Sequence, residues 1–424
     1  MASSNQAPSL SEAIRLWLKI GLLSFGGPAA QIALMHRMLV EEKRWLDENT
    51  YLNALSFCML LPGPEAMQLA TYAGWRMHGW RGGLAAGLLF VIPGALVILA
   101  LAVFYALFGN VSLVAALFVG IKATVLIIVL EALIRVAGKA LKGLIFWVIA
   151  GIAFVGIFFF SVPFPLIIIG AAIVGFLHGS HESASRPVTS RGSWSGFFST
   201  VALWLSLWAL PFVVVLAINP ESVLIEIGTF FSRLAVVTFG GAYAVLAYMG
   251  QAVVEQFGWL DAGEMMDGLG LAETTPGPLI LVTEFVGFLA AFREGGMALG
   301  LAGAVMTLWV TFVPCFLWIF AGAPHIEWIS SQPRLKNALT AISAAVVGVI
   351  VNLSLWFALH VMFRTVHHEQ QGWLTLWKPD LASIDLVVVM LSGICGVLLL
   401  MLKWSVFRVL LIAAVLGMTF GVLS

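Results

Sequence analysis

Long apolar runs, separated by short polar stretches, recur along all 424 residues of the chain. Most runs reach about 18 residues or more, the length that an α-helix needs to cross a ~30 Å hydrocarbon layer. Alternating segments of about 10 residues, which would indicate a membrane barrel, are not seen. The pattern therefore predicts an all-α polytopic membrane protein with 13 apolar segments, at 10–35, 50–75, 84–108, 111–134, 144–160, 161–178, 200–218, 222–249, 264–291, 297–321, 338–362, 384–402 and 404–424.

One polar interval divides these segments into six, one and six. It is rich in Ser, His and Arg and has no apolar period, which is typical of a linker. We therefore predict four regions: an N-terminal transporter half at 1–180, a cytoplasmic linker at 181–199, a connecting transmembrane helix at 200–218 and a C-terminal transporter half at 219–424.

Two motifs occur twice at a constant offset of 214 in the numbering. FGGP begins at residue 25 and returns as FGGA at residue 239, and LPGP begins at residue 61 and returns as TPGP at residue 275. Residues 24–64 and 238–278 are identical at 15 of 41 positions without a gap, and the identities include polar, Gly and Pro positions. Such self-similarity predicts an internal duplication.

The repeated motifs interrupt the first, second, eighth and ninth apolar segments. Proline has no N–H to donate and glycine tolerates any turn, so a continuous helix is not expected there. Irregular backbone at membrane depth is tolerated where it is buried in protein or lines a wet cavity. A simple kink in a packing helix is the alternative, but four breaks in two matched pairs favour a binding site.

Composition narrows the function. With 61% hydrophobic and 10% charged residues, the chain lacks the charge of a soluble protein, which is about 25%. Its formal net charge of zero says nothing about partners, and no nucleic-acid partner is predicted. The three cysteines, Cys58, Cys315 and Cys395, are far apart in apolar runs, so neither a disulfide framework nor a metal site is expected, and no cofactor is predicted. Residues 1–10 lack a basic region, so no cleaved signal peptide is expected.

Basic residues predict how the segments cross the membrane, because cytoplasmic loops carry the positive excess. In the first half, every basic loop falls on one side only if 10–35 and 50–75 enter and leave on the same side, as re-entrant hairpins. The loop 250–263 of the second half has no Lys or Arg, which predicts that the halves are inverted. The loops predicted to be cytoplasmic contain the basic residues Arg37, Lys43, Arg44, Arg76, Arg81, Arg135, Lys139, Lys142, Arg186 and Arg191.

The repeated motifs carry a resemblance. FGGPAAQIALMHRMLVEEKRWLDE followed by LPGPEAMQLATYAGW, and the later TFGGAYAVL, GWLD and TTPGPL, resemble the long, two-half form of the chromate ion transporter family over essentially the whole chain. The resemblance implies a multi-pass protein of the bacterial inner membrane that takes part in chromate efflux and resistance, with sulfate as a second candidate substrate. A homodimer is left open. Ala242 and Leu279 depart from the pattern, where the first copy has Pro28 and Glu65.

The breaks suit an anion. A helix that restarts in mid-membrane exposes unpaired N–H groups and the positive end of its dipole, and hydroxyls beside the break can add donors or simply cap it. The predicted substrate-binding residues at the breaks are Ser24, Gly26, Gly27, Pro62, Gly63, Pro64, Thr238, Gly240, Gly241, Thr274, Thr275, Pro276 and Gly277.

Charged residues within apolar segments are further candidates. Lys19 and Arg233 occupy equivalent positions, related by the same offset of 214, and either bind substrate or extend to the interface. Lys122 is a mid-segment candidate whose alternative is an internal pair with a carboxylate such as Glu131. Glu65, in the first turn after Pro64, is the predicted proton-coupling residue, because a dianion beside it requires its protonation.

Three classes of function are compared. No P-loop, nucleophile elbow or metal-ligand spacing is present, so an enzyme or an ATP-driven pump is not expected. Duplicated halves with broken helices favour a secondary transporter over an open pore. We predict export of chromate driven by the proton-motive force; the alternatives are a transporter of sulfate or another oxyanion, and an anion channel.

Overall fold

The helices follow the apolar segments closely. The computed structural model describes residues 8–109, 111–178, 194–239, 242–330 and 332–423. The first half contains α1 (Leu10–Leu23), α2 (Gly27–His36), α3 (Glu48–Cys58), α4 (Glu65–Phe108), α5 (Ser112–Ala140), α6 (Leu144–Phe160) and α7 (Phe164–His178). The rest contains α8 (Trp194–Ile218), α9 (Val223–Val237), α10 (Ala242–Gln251), α11 (Ala262–Thr274), α12 (Val282–Gly322), α13 (Ile326–Ser330), α14 (Pro333–Met362), α15 (Leu386–Gly396) and α16 (Val406–Leu423).

Two of these helices turn back on themselves. Gly79 in α4 and Gly296 in α12 have φ of +60° and +70°, which interrupts the helix at corresponding places. A Cβ on Gly74 would overlap the carbonyl of Gly82, a contact that a straight helix could not make between these two positions. The predicted separation of 50–75 from 84–108 is therefore found as a tight helical turn.

The repeated Trp-Leu-Asp sequences have a structural role. Trp45 and Trp259 donate their backbone N–H to the sixth residue before them, at 2.8 and 3.0 Å, after matching π-helical turns. Asp47 then caps α3, accepting from the Thr50 N–H over 2.9 Å, and Asp261 makes the same bond to α11. Side-chain caps of this kind satisfy the free N–H groups at a helix start.

One polar stretch is not a loop. The fold was predicted to be all-α, but between the predicted segments 338–362 and 384–402 the strands β1 (Val366–Gln371) and β2 (Leu374–Pro379) form an antiparallel hairpin. Gly372, with φ of +63°, lies in its turn. The fold is thus helical apart from this hairpin in the described parts of the chain. Because β1 is polar and exposed at every position after Val366, no apolar alternation marked this strand.

Length and composition make this a multi-pass membrane protein. Among the described residues, five stretches are long and apolar enough to cross a membrane: Glu65–Phe108, Ser112–Ala140, Trp194–Ile218, Leu279–His325 and Pro333–Met362. Shorter apolar helices lie at Leu144–Phe160, Phe164–His178, Leu386–Met401 and Val406–Phe420. The count of 13 segments, the re-entrant path and the inversion of the halves stay predictions.

The chain forms two compact units, and each takes segments from both sequence halves. Unit one comprises Met1–Ala100, Ser180–Ala242 and Thr275–Lys336, and its buried core includes Trp17, Phe231 and Phe285. Unit two comprises Leu101–Gly179, Tyr243–Thr274 and Asn337–Ser424, with α5 packed on α11, α15 and α16. The four regions predicted from the sequence describe the duplication rather than these units.

Candidate functional site

The first helix break lies between α1 and α2. Ser24 follows the last residue of α1, and its buried hydroxyl donates to the carbonyl oxygen of Ile20 over 2.6 Å. Gly26 has φ of +85°, a left-handed conformation that glycine reaches at little cost. α2 then begins at Gly27, with Pro28 in its first turn, where a missing N–H costs nothing.

The corresponding break in the second half begins in the same way. The hydroxyl of Thr238, directly after α9, donates to the carbonyl oxygen of Leu234 over 2.6 Å. Ile20 and Leu234 are related by the offset of 214, so the two caps are equivalent bonds. A hydroxyl has one proton to donate, so in this conformation Ser24 and Thr238 use theirs to cap a helix rather than to bind an anion.

Each Pro-Gly-Pro turn is bonded to the break of the other half. The backbone N–H of Gly63 donates to the carbonyl oxygen of Thr238 over 2.7 Å, and that of Gly277 donates to Ser24 over 2.9 Å. Such reciprocal pairing is what a two-fold relation produces. We call these four residues, all in unit one, the break crossing.

The two glycines of the break crossing have little room for a side chain. Their φ values are +117° at Gly63 and +92° at Gly277. A Cβ on Gly63 would lie 2.8 Å from Cys315 Sγ, and a Cβ on Gly277 would lie 3.4 Å from the Cα of Gly94. Residues 94 and 315 follow equivalent prolines in α4 and α12, so each turn packs on the long helix of the other half.

A glutamine that was not predicted from the sequence donates hydrogen bonds to one side of the break crossing. The Gln31 Nε2 donates to the carbonyl oxygens of Gly277, over 2.6 Å, and Ser24, over 3.1 Å. The side chain is buried, and within the described ranges its Oε1 has no hydrogen-bond partner. The equivalent residue of the second half is Val245, so only one side of the break crossing has this brace.

A second missed glutamine holds the first Pro-Gly-Pro turn. Gln68 is buried, and its Nε2 donates to the carbonyl oxygen of Pro62 over 2.7 Å. Its equivalent is Val282. A polar residue in one repeat opposite an apolar residue in the other was the available signal for both glutamines.

Two helix starts keep donors beside the break crossing. A Cβ on Gly27 would meet no atom of the described residues within 4 Å, so none of them covers the start of α2. In α4 the first helical bond runs from the Gln68 N–H to the Pro64 carbonyl, over 3.1 Å. The N–H groups before residue 68 therefore have no partner within the helix, and they carry the positive end of its dipole. Glu65 lies in that turn and is partly exposed.

The other residues predicted at the breaks lie in different units of the structure. The Thr274 hydroxyl donates to the Leu271 carbonyl over 2.8 Å at the end of α11, in unit two. Thr275 and Pro276 are buried in unit one, where a Cβ on Gly94 would overlap the Pro276 carbonyl. The predicted positions Gly240 and Gly241 lie outside the described residues.

Three predicted basic residues have different surroundings. Lys19 and Arg233 are exposed, on the sides of α1 and α9 that carry no buried residues. Lys122, in unit two, lies 3.5 Å from a carboxylate oxygen of Asp267. An internal ion pair was the alternative considered for Lys122, but the partner expected there was Glu131. Asp267 lies in the other half of the sequence, so no helical spacing could have indicated it.

No group of three or more His, Cys, Asp or Glu side chains that could hold a metal ion occurs in the described ranges. The three cysteines are free and buried. Among the described residues, the charged and polar groups at the break crossing include backbone dipoles, the Ser24 and Thr238 hydroxyls, the Gln31 and Gln68 amides, and Glu65.

Comparison with known proteins gives a consistent result. The profile of the chromate transporter family matches residues 11–176 and again 225–418, one match in each half. A chromate transport protein of Pseudomonas aeruginosa is 30% identical over 405 residues, covering 92% of this chain and 91% of the relative. A probable chromate transport protein of Synechococcus elongatus is 28% identical over 399 residues, covering 92% and 96%.

A shorter relative matches only part of the chain. The uncharacterized transporter YwrA of Bacillus subtilis is 29% identical over 160 residues, which is 37% of this chain and 89% of that protein. No solved structure matches the chain. Because the family profile spans both halves, this chain belongs to the chromate transporter family.

Proposed function

We propose that this chain exports chromate across the bacterial inner membrane, that the proton-motive force drives the export, and that it confers chromate resistance. The observation that supports this most directly is the break crossing, where the four helix breaks of the duplicated halves meet in reciprocal pairs. The curated relatives of similar length from Pseudomonas and Synechococcus are named as chromate transport proteins.

The chemistry of the break crossing suits a tetrahedral dianion. Chromate has acceptors in every direction and needs donors without a strong fixed positive charge to release it again. The first turns of α2 and α4 offer unpaired N–H groups and the positive ends of their dipoles. The N–H groups of Gly63 and Gly277 are already donated to the opposite break, so the open donors are those of the following turns.

The basic residues are proposed to contribute charge at longer range. Lys19 and Arg233 each lie shortly before one of the two breaks, on exposed sides of their helices. Exposed cations at equivalent positions would attract a dianion towards the breaks. Because these side chains are exposed rather than buried, they would not hold the dianion in place.

Electrostatics supports the outward direction. A charge that crosses the membrane potential gains or loses about 2.3 kcal/mol per 100 mV, so a dianion that leaves a negative interior gains about 4.6 kcal/mol. For the membrane potential to drive uptake instead, roughly three protons would have to enter with each dianion, so that the net charge moved is positive. Glu65, in the first turn of α4, is the proposed group that couples export to proton entry.

Inverted membrane vesicles test this proposal. Vesicles from cells that express the chain, energised to be positive inside, are expected to accumulate chromate above de-energised vesicles and above vesicles without the protein. Glu65→Gln should reduce accumulation driven by a pH gradient. Failure of the wild-type vesicles to accumulate chromate would refute the proposal. Preference for sulfate, or conductance far above carrier turnover, would support the alternative transporter or the channel.

A further inference from the structure

The helix α11 carries a buried charge cluster that the break crossing does not use. α11 leads into the second Pro-Gly-Pro turn, and it packs on α5 within unit two. Small residues allow this close approach, since a Cβ on Gly270 would overlap the Ile121 side chain. A Cβ on Gly263 would likewise lie 2.7 Å from the Lys122 Nζ, so the lysine head lies against the first turn of α11.

Asp267 is the centre of this cluster. Its side chain is 4% exposed, and its Oδ2 accepts from the Tyr105 hydroxyl over 2.8 Å. The same oxygen lies 3.5 Å from the Lys122 Nζ, a distance that gives an ion pair without a short hydrogen bond. Its Oδ1 is buried and has no hydrogen-bond partner among the residues that the structure describes. An ionised carboxylate there leaves half of its acceptors unused, which is costly in a buried place.

A proton would change this balance. If Asp267 were neutral, its unpartnered oxygen would no longer carry charge, and the buried cost of ionisation would be removed. Lys122 would then lose its counter-charge. Because its side chain is 29% exposed, the lysine has room to move away from the pair, whereas the 4% exposed Asp267 has almost none. The pair is therefore suited to two states that differ by one proton.

The surrounding charges argue against a dianion as the ligand of this cluster. The first turn of α11 adds Asp261 and Glu264, which cap the helix by reciprocal bonds of 2.7 and 2.9 Å. Three carboxylates around one lysine repel chromate but attract a proton. Other charged or titratable groups on α11 and on the helices packed against it are Glu273, Glu131, Arg135, Lys139 and Arg408.

The cluster is present in one repeat only. Asp267 is equivalent to Asn53 at the offset of 214, and Lys122 is equivalent to Ser343 at the offset of 221 that relates Pro93 to Pro314. In the other repeat, neutral polar residues occupy the equivalent positions. Packing of the helices alone therefore does not explain why this repeat carries a charged pair.

We propose that Asp267 is a second proton-binding site of the transporter, and that Lys122 is its charge partner. This inference rests on the proposed function, because it supposes that chromate movement is coupled to protons. It adds a proton-binding group to Glu65, which lies in unit one.

Proteoliposomes separate coupling from translocation. Wild-type protein is expected to accumulate chromate when only a pH gradient is imposed, and to exchange internal for external chromate when no gradient is imposed. Asp267→Asn should lower the gradient-driven accumulation about tenfold, a coupling of the size that linked sites usually show. It should keep the exchange, which needs no net proton movement. Glu221→Gln, which changes an exposed acid in a loop, is the matched control.

The outcomes are distinct. If wild-type protein neither accumulates nor exchanges chromate, the proposed function fails. If Asp267→Asn accumulates chromate like the wild type, or loses exchange as well, the proton site is refuted. An uptake driven by a sodium gradient instead of a pH gradient also refutes it. If Asp267→Asn does not fold because Lys122 is left unpaired, the double variant Lys122→Gln/Asp267→Asn removes both charges. Gradient-driven accumulation and chromate exchange are then measured on the double variant, with the same criteria.

Discussion

Gly63 donates its backbone N–H over 2.7 Å to the carbonyl of Thr238, a residue that lies in the other half of the chain. Gly63 also has φ of +117°, and a Cβ there would lie 2.8 Å from Cys315 Sγ. The turn therefore requires glycine for two separate reasons, backbone conformation and space. The same two reasons apply less severely to Gly277.

We expect Gly63→Ala to lower both stability and chromate transport. A side chain at positive φ costs about 1–2 kcal/mol, and overpacking adds about 1–3 kcal/mol. Thermal unfolding in detergent measures the sum. Adding Cys315→Ala should recover part of the overpacking but not the backbone part, because the Cβ would still lie 2.9 Å from the Gln68 Nε2. Gly151→Ala, in an open helical position, is the control and should change neither quantity. Equal stability of Gly63→Ala and Gly151→Ala would contradict the close packing described here.

The brace formed by Gln31 can be tested with the residue that the other repeat uses. Gln31→Val removes two hydrogen bonds to the break crossing and reproduces Val245. We expect a loss of about 1–3 kcal/mol in the free energy of unfolding, because the buried Gly277 carbonyl loses this donor, whereas the Ser24 carbonyl still accepts from the Gly277 N–H. Gln370→Val, at an exposed strand position, is the control. A Gln31→Val protein as stable as the control would show that the brace contributes nothing.

The re-entrant path is tested by labelling single cysteines from each side of the membrane. Lys43→Cys and Arg81→Cys should react from the same, cytoplasmic side. The three native cysteines are buried, so they should give little background. Labelling of the two positions from opposite sides would mean that 50–75 crosses the membrane fully.

The cap at Asp47 predicts a pH-dependent contribution to stability. Thr50 donates two hydrogen bonds to this carboxylate, at 2.7 and 2.9 Å, and they hold its pKa below the ordinary value. A lowered pKa stabilises the folded state above the unfolded pKa of about 3.9, and this stabilisation is lost as pH falls through the folded pKa. Asp47→Ala should therefore cost about 1 kcal/mol at neutral pH.

The measurement for Asp47 is the midpoint of thermal unfolding at neutral and at strongly acidic pH. The difference between wild type and Asp47→Ala should shrink in acid, whereas Glu221→Ala should show no such change. A difference that stays constant across this range would indicate that the carboxylate charge does not support the cap.

Local rules were enough to place the helix breaks. Proline and glycine carry their backbone constraints with them, so the ends of α1 and α9 and the turns at Gly63 and Gly277 could be predicted from residue type. The turn at Gly79 was predicted only as a loop, because the Gly74 contact that closes it depends on the packing of two helices.

The tertiary contacts could not be predicted from the sequence. The partners of Gly63 and Lys122 lie far away along the chain, in segments whose apolar composition is nearly uniform. In a soluble protein, polarity separates core from surface, but in a membrane helix both are apolar. The roles of Gln31 and Asp267 therefore emerged only from the contacts. The β-hairpin was missed for the opposite reason, since β1 is polar at every position after Val366 and shows no apolar alternation.

The reciprocal bonds of the break crossing also constrain the synthesis of the chain. When the ribosome has completed Gly63, the acceptor of its N–H, Thr238, has still to be made. At about 5–20 residues per second, that acceptor arrives roughly 10–35 s later. During this interval the unpaired turn must be kept hydrated, or held by the insertion machinery, because lipid offers it no acceptor. A chain with only one such half would have to find the missing acceptor in another chain.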